Sequence, residues 1–191
     1  MELDNKKYLV DRLLETGREG MEDLIDAMED WGFFTAPASG SFHLVCEFGL
    51  LHHTRNVMEM AEKLGVCLLG GAEYNKIHDS VIISAALHDL GKAGQFGKPE
   101  YIPNVLKSGK ASDSKPYKKN GDLLPVDHEI RSVAMAQMYI DLTEDEQFAI
   151  LYHNGMYGPL KYSLQGNETP LYMILHWADM WASRVMEGDK K

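Results

Sequence analysis

Apolar side chains recur at three- and four-residue steps over residues 4–31, at Leu9, Leu13 and Leu14 and then at Leu24, Ile25, Met28 and Trp31, with the acidic residues turned the other way. This period predicts one or two amphipathic helices with a solvated charged face. Residues 32–41 interrupt it with Pro37, Ser39 and Gly40, a loop signature leading to Phe42-His43. The helical period resumes over residues 47–64, where Leu50, His53, Val57, Met60, Ala61 and Leu64 share one face. His53 thus sits inside an apolar stripe. His52, about 100° round the helix, is expected at its margin or at the surface.

After Gly70-Gly71, a helix is predicted over residues 75–89. Its apolar run, Val81 to Leu87, ends abruptly in His88-Asp89-Leu90-Gly91-Lys92. Adjacent helical residues diverge by about 100°, so two neighbours reach one ion mainly where a helix stops. Gly91, free to take a left-handed cap conformation, is the expected stop. His78, on the polar early turn, is expected to face solvent. Residues 93–126 carry Gly94, Gly97, Pro99, Pro103, Gly109, Pro116, Gly121 and Pro125 and read as a long irregular connection. Lys98, Lys107, Lys110, Lys115, Lys118 and Lys119 make it a basic island, either a solvated loop or a cover that brings positive charge to an anionic substrate.

The next predicted helix, residues 127–140, places His128 and Arg131 three apart on one face. Thr143-Glu144-Asp145-Glu146 is a capping box that opens a helix ending at His153-Asn154-Gly155. A loop over residues 155–168 leads to Thr169-Pro170, an N-cap followed by proline at the first helical position. The final helix, residues 171–186, contains Leu175-His176-Trp177-Ala178-Asp179. An unpaired Asp179 carboxylate in such apolar company would be costly, so it needs a cation. Helical periods dominate throughout and predict an all-α fold.

Composition narrows the class. The chain has 191 residues, 45% of them hydrophobic and 25% charged, as expected of one soluble domain: N-terminal helices over residues 1–40 and a helical core over 42–186. A formal net charge of −10 argues against a protein that neutralises long runs of nucleic-acid phosphates, although a local basic patch is compatible with it. Cys46 and Cys67 lack a chelating spacing and suit free buried thiols in a reducing cytoplasm. The charged start has no signal-peptide core, and no apolar run approaches the ~20 residues of a membrane span, so a cytoplasmic location is expected.

His53, His88, Asp89, His128, His153 and Asp179 each lie on an apolar helix or at a helix end. Singly, each has an ordinary explanation as a satisfied core or capping residue. Together they supply the nitrogen and oxygen donors that borderline and hard divalent cations prefer, and so form a candidate metal centre. His43 is ambiguous, a loop histidine at the mouth of such a site.

The order H…HD…H…H…D resembles the HD superfamily of metal-dependent phosphohydrolases. Gly49-Leu50-Leu51-His52-His53-Thr54 is similar to that family's Gly-Leu-Leu-x-His-Thr helix, Ala86-Leu87-His88-Asp89-Leu90-Gly91-Lys92 to its name-giving motif, and Leu175-His176-Trp177-Ala178-Asp179 to its closing helix. The likeness runs from Phe42 to Arg184. It implies a compact multi-helix HD bundle with a buried metal centre, and two histidines between the His-Asp pair and the last Asp imply the binuclear subset. His53, His88, Asp89 and Asp179 would then hold one divalent ion, and His128 and His153 a second, with Asp89 bridging; a mononuclear site with His128 and His153 packed beside it is the alternative. The metals implied are Mn, Fe, Co, Ni, Zn or Mg.

By the same resemblance, Asp89 and Lys92 would be catalytic. Lys92 and Arg131 would contact phosphate, Arg131 through its planar fork, with exposed ion pairs as the ordinary alternative for both. The implied activity is hydrolysis of a phosphate ester, with a metal-bound hydroxide as nucleophile, on a nucleotide or similar small phosphorylated molecule. Residues 120–185 also resemble HD-domain exoribonucleases, but the acidic chain favours a small substrate over nucleic acid. A binuclear iron oxygenase and a non-catalytic nucleotide-binding module share parts of the pattern. Phosphate release against oxygen uptake separates the first from hydrolysis, and an Asp89→Ala variant with unchanged phosphate release would favour the second.

Overall fold

A computed structural model describes residues 2–158 and 161–188. Helices α1 (Glu2–Glu15) and α2 (Met21–Asp30) take up the N-terminal amphipathic stretch and bury Leu9, Leu13, Leu24 and Met28, while Leu14 stays largely exposed. Helix α3 (Gly49–Leu69) turns at Gly70 directly into α4 (Gly71–Leu87), so the two fold back on each other along most of their length. Every residue from Val81 to Leu87 is buried, which makes the end of α4 the centre of the core. A helix buried on all sides reads as a continuous apolar run rather than a stripe, and that is the pattern of this stretch.

Residues 93–126 are not wholly irregular. Strands β1 (Tyr101–Pro103) and β2 (Tyr117–Lys119) pair antiparallel, with Ile102 opposite Lys118. Three-residue strands are too short for an alternating pattern to register in sequence. Lys107, Lys110, Lys115 and Lys118 are exposed, Lys98 donates to the Asp122 carbonyl at 2.7 Å, and Lys119 pairs with Glu100 at 3.1 Å.

Helix α5 (His128–Ala136) packs on the 3₁₀ turn Leu90–Ala93 that follows α4. Helix α6 (Glu144–Tyr152) opens with the predicted capping box: Thr143 Oγ1 accepts the Glu146 amide at 3.2 Å, and the Glu146 carboxylate accepts the Thr143 amide at 2.9 Å. The short α7 (Lys161–Leu164) precedes α8 (Pro170–Trp181), whose N-cap Thr169 accepts the Tyr172 amide at 3.2 Å. Helix α8 widens into a π-helical turn, Ala182–Met186, and packs against α3, α4 and α6. The architecture is all-α apart from the two short strands. Among the described residues no helix is long and apolar enough to cross a membrane.

Several local expectations change: α3 runs on to Leu69 instead of ending at residue 64, α5 ends at Ala136 instead of residue 140, and the 155–168 connection contains the short α7. Cys46 and Cys67 are exposed rather than buried. Cys67 shares the outward end of α3 with exposed Val66 and Leu68, beyond the part of that helix covered by the core, and Cys46 lies in the loop before α3. His78 is half-buried instead of solvent-facing, with Nε2 3.0 Å from the Arg12 guanidinium and Nδ1 2.9 Å from Asp79.

Candidate metal centre

The site starts at the end of α4. His88 is the last residue with helical geometry, and Asp89 leaves the helix at φ −107°, ψ 12°. The helix therefore stops where two adjacent side chains must converge, but not by a left-handed glycine. Gly91 has no positive φ and lies inside the 3₁₀ turn. What requires glycine there is contact: a Cβ on Gly91 would lie 2.3 Å from the His128 carbonyl oxygen. The junction is fastened by Ser132, whose hydroxyl accepts the Gly91 amide at 2.8 Å and donates to the His88 carbonyl at 2.9 Å. Close approach of α5 to this turn carries His128 to Asp89.

Around Asp89 the rings divide into two pairs. Asp89 Oδ2 lies 3.4 Å from both His53 Nε2 and His88 Nε2, whereas Oδ1 lies 3.1 Å from His128 Nε2 and 3.6 Å from His153 Nε2. Asp179 Oδ1 is 3.2 Å from His53 Nε2, and the His53 and His88 Nε2 atoms are 3.3 Å apart. The donor atoms of His53, His88 and Asp179 cluster closely enough to hold an ion, as do those of His88, Asp89 and His153. His53, His88, Asp89 and His153 are almost completely buried.

The outer ring nitrogens explain why these donors face inward. His88 Nδ1 donates to the Ala85 carbonyl at 2.9 Å, His153 Nδ1 to the Ile150 carbonyl at 2.8 Å, and His53 Nδ1 to the Glu187 carboxylate at 3.0 Å. His128 Nδ1 faces Glu129 Oε2 at 3.3 Å. An acceptor at Nδ1 puts a proton there and turns Nε2 toward the centre, the arrangement that orients metal-bound histidines. The Asn154 amide, 3.4 Å from His128 Nε2 and 3.2 Å from His153 Nε2, approaches both with a donor group while also donating to Glu129 at 2.5 Å.

Ring nitrogens and carboxylate oxygens thus face one another in a buried space. Asp89 Oδ1 is buried and accepts no hydrogen bond among the described residues. Buried acceptors without donors are costly, and a divalent cation satisfies such a set. The donor chemistry, imidazole plus carboxylate, fits one.

The charges agree in direction. Burial alone would lower the basicity of His53, but Asp179 and Glu187 outweigh it and push it up to about 9. Burial, reinforced by His88, pushes His153 down to about 3. Burial would raise Asp89, yet Lys92 and His88 hold it well below the usual carboxylate range. Asp179 is likewise held low against its burial by His53. The cluster holds its carboxylates ionised and draws positive charge.

A cleft of ≈ 140 Å³ reaches the edge of this cluster, where His153 and Asp179 line it together with Lys92, Asn154, Phe42, Tyr157 and Arg184. Lys92 Nζ donates to Asp89 Oδ2 at 2.6 Å. Arg131 is placed differently. It is buried, donates to Gln95 at 3.1 Å and to the Leu124 carbonyl at 2.9 Å, and does not line this cleft. It starts on the face of His128, but its long side chain turns back to fasten residues 95 and 124.

Periodicity did not single out Glu187, Glu129 or Asn154. Glu187 falls in a polar run past the last apolar turn and reads as solvated tail, and Glu129 reads as an ordinary acidic residue at a helix start. Asn154 had only its place beside His153 as a signal. His43, the ambiguous histidine, is nearly buried, with Nδ1 2.6 Å from Glu187. Comparison of the chain with protein-family models, with curated proteins and with solved structures yields no match.

Proposed function

We propose that this protein is an HD-type metal-dependent phosphohydrolase that holds two divalent ions and cleaves a phosphate ester of a nucleotide or similar small phosphorylated molecule. The observation that carries the proposal is the division at Asp89, whose two oxygens face two separate histidine pairs. One carboxylate addressed in this way suits a bridge between two ions, His53, His88 and Asp179 completing one side and His128 and His153 the other.

Two such ions, when bound, acidify a water and neutralise charge on phosphoryl oxygens. The chain's own groups supply position. Lys92, between Asp89 and the cleft, has its ammonium within reach of a phosphoryl oxygen; burial would make it less basic, but Asp89 outweighs this and keeps it charged. Asn154, anchored by its bond to Glu129, lies beside His128 and His153 and lines the cleft. Nucleotide-sized pockets usually exceed about 300 Å³, so a cleft of ≈ 140 Å³ accepts the phosphoryl end and leaves the rest of the substrate at the rim. There Phe42 and Tyr157 are exposed, and the Arg184 guanidinium sits 4.8 Å over the Tyr157 ring. Exposed aromatic faces suit a nucleobase.

The test is a screen of the purified protein against nucleoside mono-, di- and triphosphates, cyclic nucleotides and short oligonucleotides, each with Mn²⁺, Co²⁺, Ni²⁺, Fe²⁺, Zn²⁺ or Mg²⁺. Metal-stimulated hydrolysis that disappears in Asp89→Asn, read as phosphate from the nucleoside phosphates or as nucleotide from the cyclic nucleotides and oligonucleotides, supports the proposal. Tightly held iron with substrate-dependent oxygen uptake and no hydrolysis of any of these would overturn it in favour of an oxygenase.

A further inference from the structure

Glu187 lies at the far end of the chain from the His-Asp motif, eight positions beyond Asp179. In an unbroken α-helix that spacing turns a side chain about 80° away from Asp179. The π-helical turn changes this. The Glu187 amide bonds to the Ala182 carbonyl at 3.0 Å, a five-residue step in which each residue advances by less than in an α-helix. Glu187 is thereby brought back toward the face of Asp179 and onto α3. Its side chain is only 2% exposed and is gripped from two other segments. His43 Nδ1 lies 2.6 Å from Oε2, His53 Nδ1 lies 3.0 Å from Oε2 and 3.2 Å from Oε1, and Asn56 donates to Oε1 at 2.8 Å.

The donors of His43, His53 and Glu187 lie close enough together to suggest an ion of their own. The distances argue for protons instead. Two ligands at about 2.0–2.2 Å from one tetrahedral ion stand roughly 3.4 Å apart, whereas His43 Nδ1 and Glu187 Oε2 are 2.6 Å apart, a hydrogen-bond length. An ion on His53 Nδ1 would also leave no ring proton if Nε2 binds a second one.

We infer that Glu187, itself oriented by His43 and Asn56, is the positioning residue that fixes the tautomer and ring orientation of His53 and so sets the affinity of one half of the metal centre, an inference that rests on the metal-centre proposal above. Partners of this kind change metal affinity by roughly 10- to 100-fold when removed. Because Glu187 touches His53 and none of the other three ring histidines in a described hydrogen bond, its effect is confined to the ion held by His53, His88 and Asp179.

The experiment is calorimetric titration of the full chain with Mn²⁺, for wild type, Glu187→Ala and Glu187→Gln, alongside thermal unfolding of each metal-free protein. Glu187→Ala should weaken one of two binding steps by roughly 10- to 100-fold and spare the other. Glu187→Gln, which keeps an acceptor oxygen but loses the charge, should weaken the same step less, and it carries the test if the alanine variant does not fold. Unchanged affinity in both variants, or equal weakening of both steps in parallel with loss of metal-free stability, would overturn the inference while leaving the metal centre standing. A wild type that binds no divalent cation would remove the metal-centre proposal and this inference together.

Discussion

Lys92 Nζ and Asp89 Oδ2 are 2.6 Å apart, joining the ammonium to the carboxylate that all four ring histidines approach. Asp89 is almost fully buried, and the Lys92 side chain is 14% exposed. Removing one partner of a buried pair leaves the other charge uncompensated, at a cost of roughly 3–5 kcal/mol. Lys92→Ala should therefore destabilise the metal-free protein by about 3 kcal/mol in urea unfolding. Saturating Mn²⁺ should shrink that loss, because a divalent cation restores positive charge at Asp89. An equal loss with and without Mn²⁺ would count against ion binding there.

The bridging assignment predicts unequal variants. Asp89→Asn should lose both metals together in elemental analysis of the purified protein, and His153→Ala mainly one. Equal retention in the two would refute the division of the histidines into pairs.

Gly91→Ala tests whether the turn after α4 must touch α5. The added methyl would meet the His128 carbonyl oxygen at 2.3 Å and the Arg131 Cβ at 2.9 Å. Overpacking of this kind costs about 1–3 kcal/mol, and relief requires α5 to move away from Asp89. Chemical unfolding should show the stability loss, and metal analysis a reduced content. A variant as stable and as metal-replete as wild type would show that this contact is slack.

Glu146 predicts a pH dependence remote from the cleft. Its buried carboxylate receives Arg18 through two bonds of 2.7 and 2.9 Å. Burial would raise Glu146, but the Arg18 guanidinium and the Thr143 amide hold it below its ordinary value of 4.5. A folded value below the unfolded one stabilises the protein above about pH 4.5, and that contribution is lost as pH falls through the folded value. Glu146→Gln should cost roughly 1–3 kcal/mol at pH 7, with a flatter decline in stability below pH 4.5, read from unfolding midpoints across a pH series. An unchanged acid slope would exclude Glu146 as a contributor.

Much of the scaffold was legible because its signals are local. The Thr143 and Thr169 caps act within one turn, and the turns at Gly70 and Gly155 punctuate the helices near where the pattern breaks. Gly155, at φ +56°, also lies so close to the His176 ring that a Cβ would sit 2.5 Å from it. The 101–119 hairpin escaped because three residues cannot express a period. The role of Gly91 escaped because a glycine needed for contact with another helix looks, in sequence, like one needed for a turn.

The sequence by itself determined where helices form, where most of them end, and which histidines and aspartates lie on apolar faces, since periodicity and capping depend on neighbours within a few residues. Only the tertiary structure decided what those residues meet. Packing of α5 against the turn after α4 brings His128 to one oxygen of Asp89, and the π-helical turn after α8 carries Glu187 to His53 across 134 positions of chain. Arg131, one turn from His128, is drawn instead to Gln95 and Leu124. Direction over such separations is set by the packing of whole helices, which no local pattern encodes.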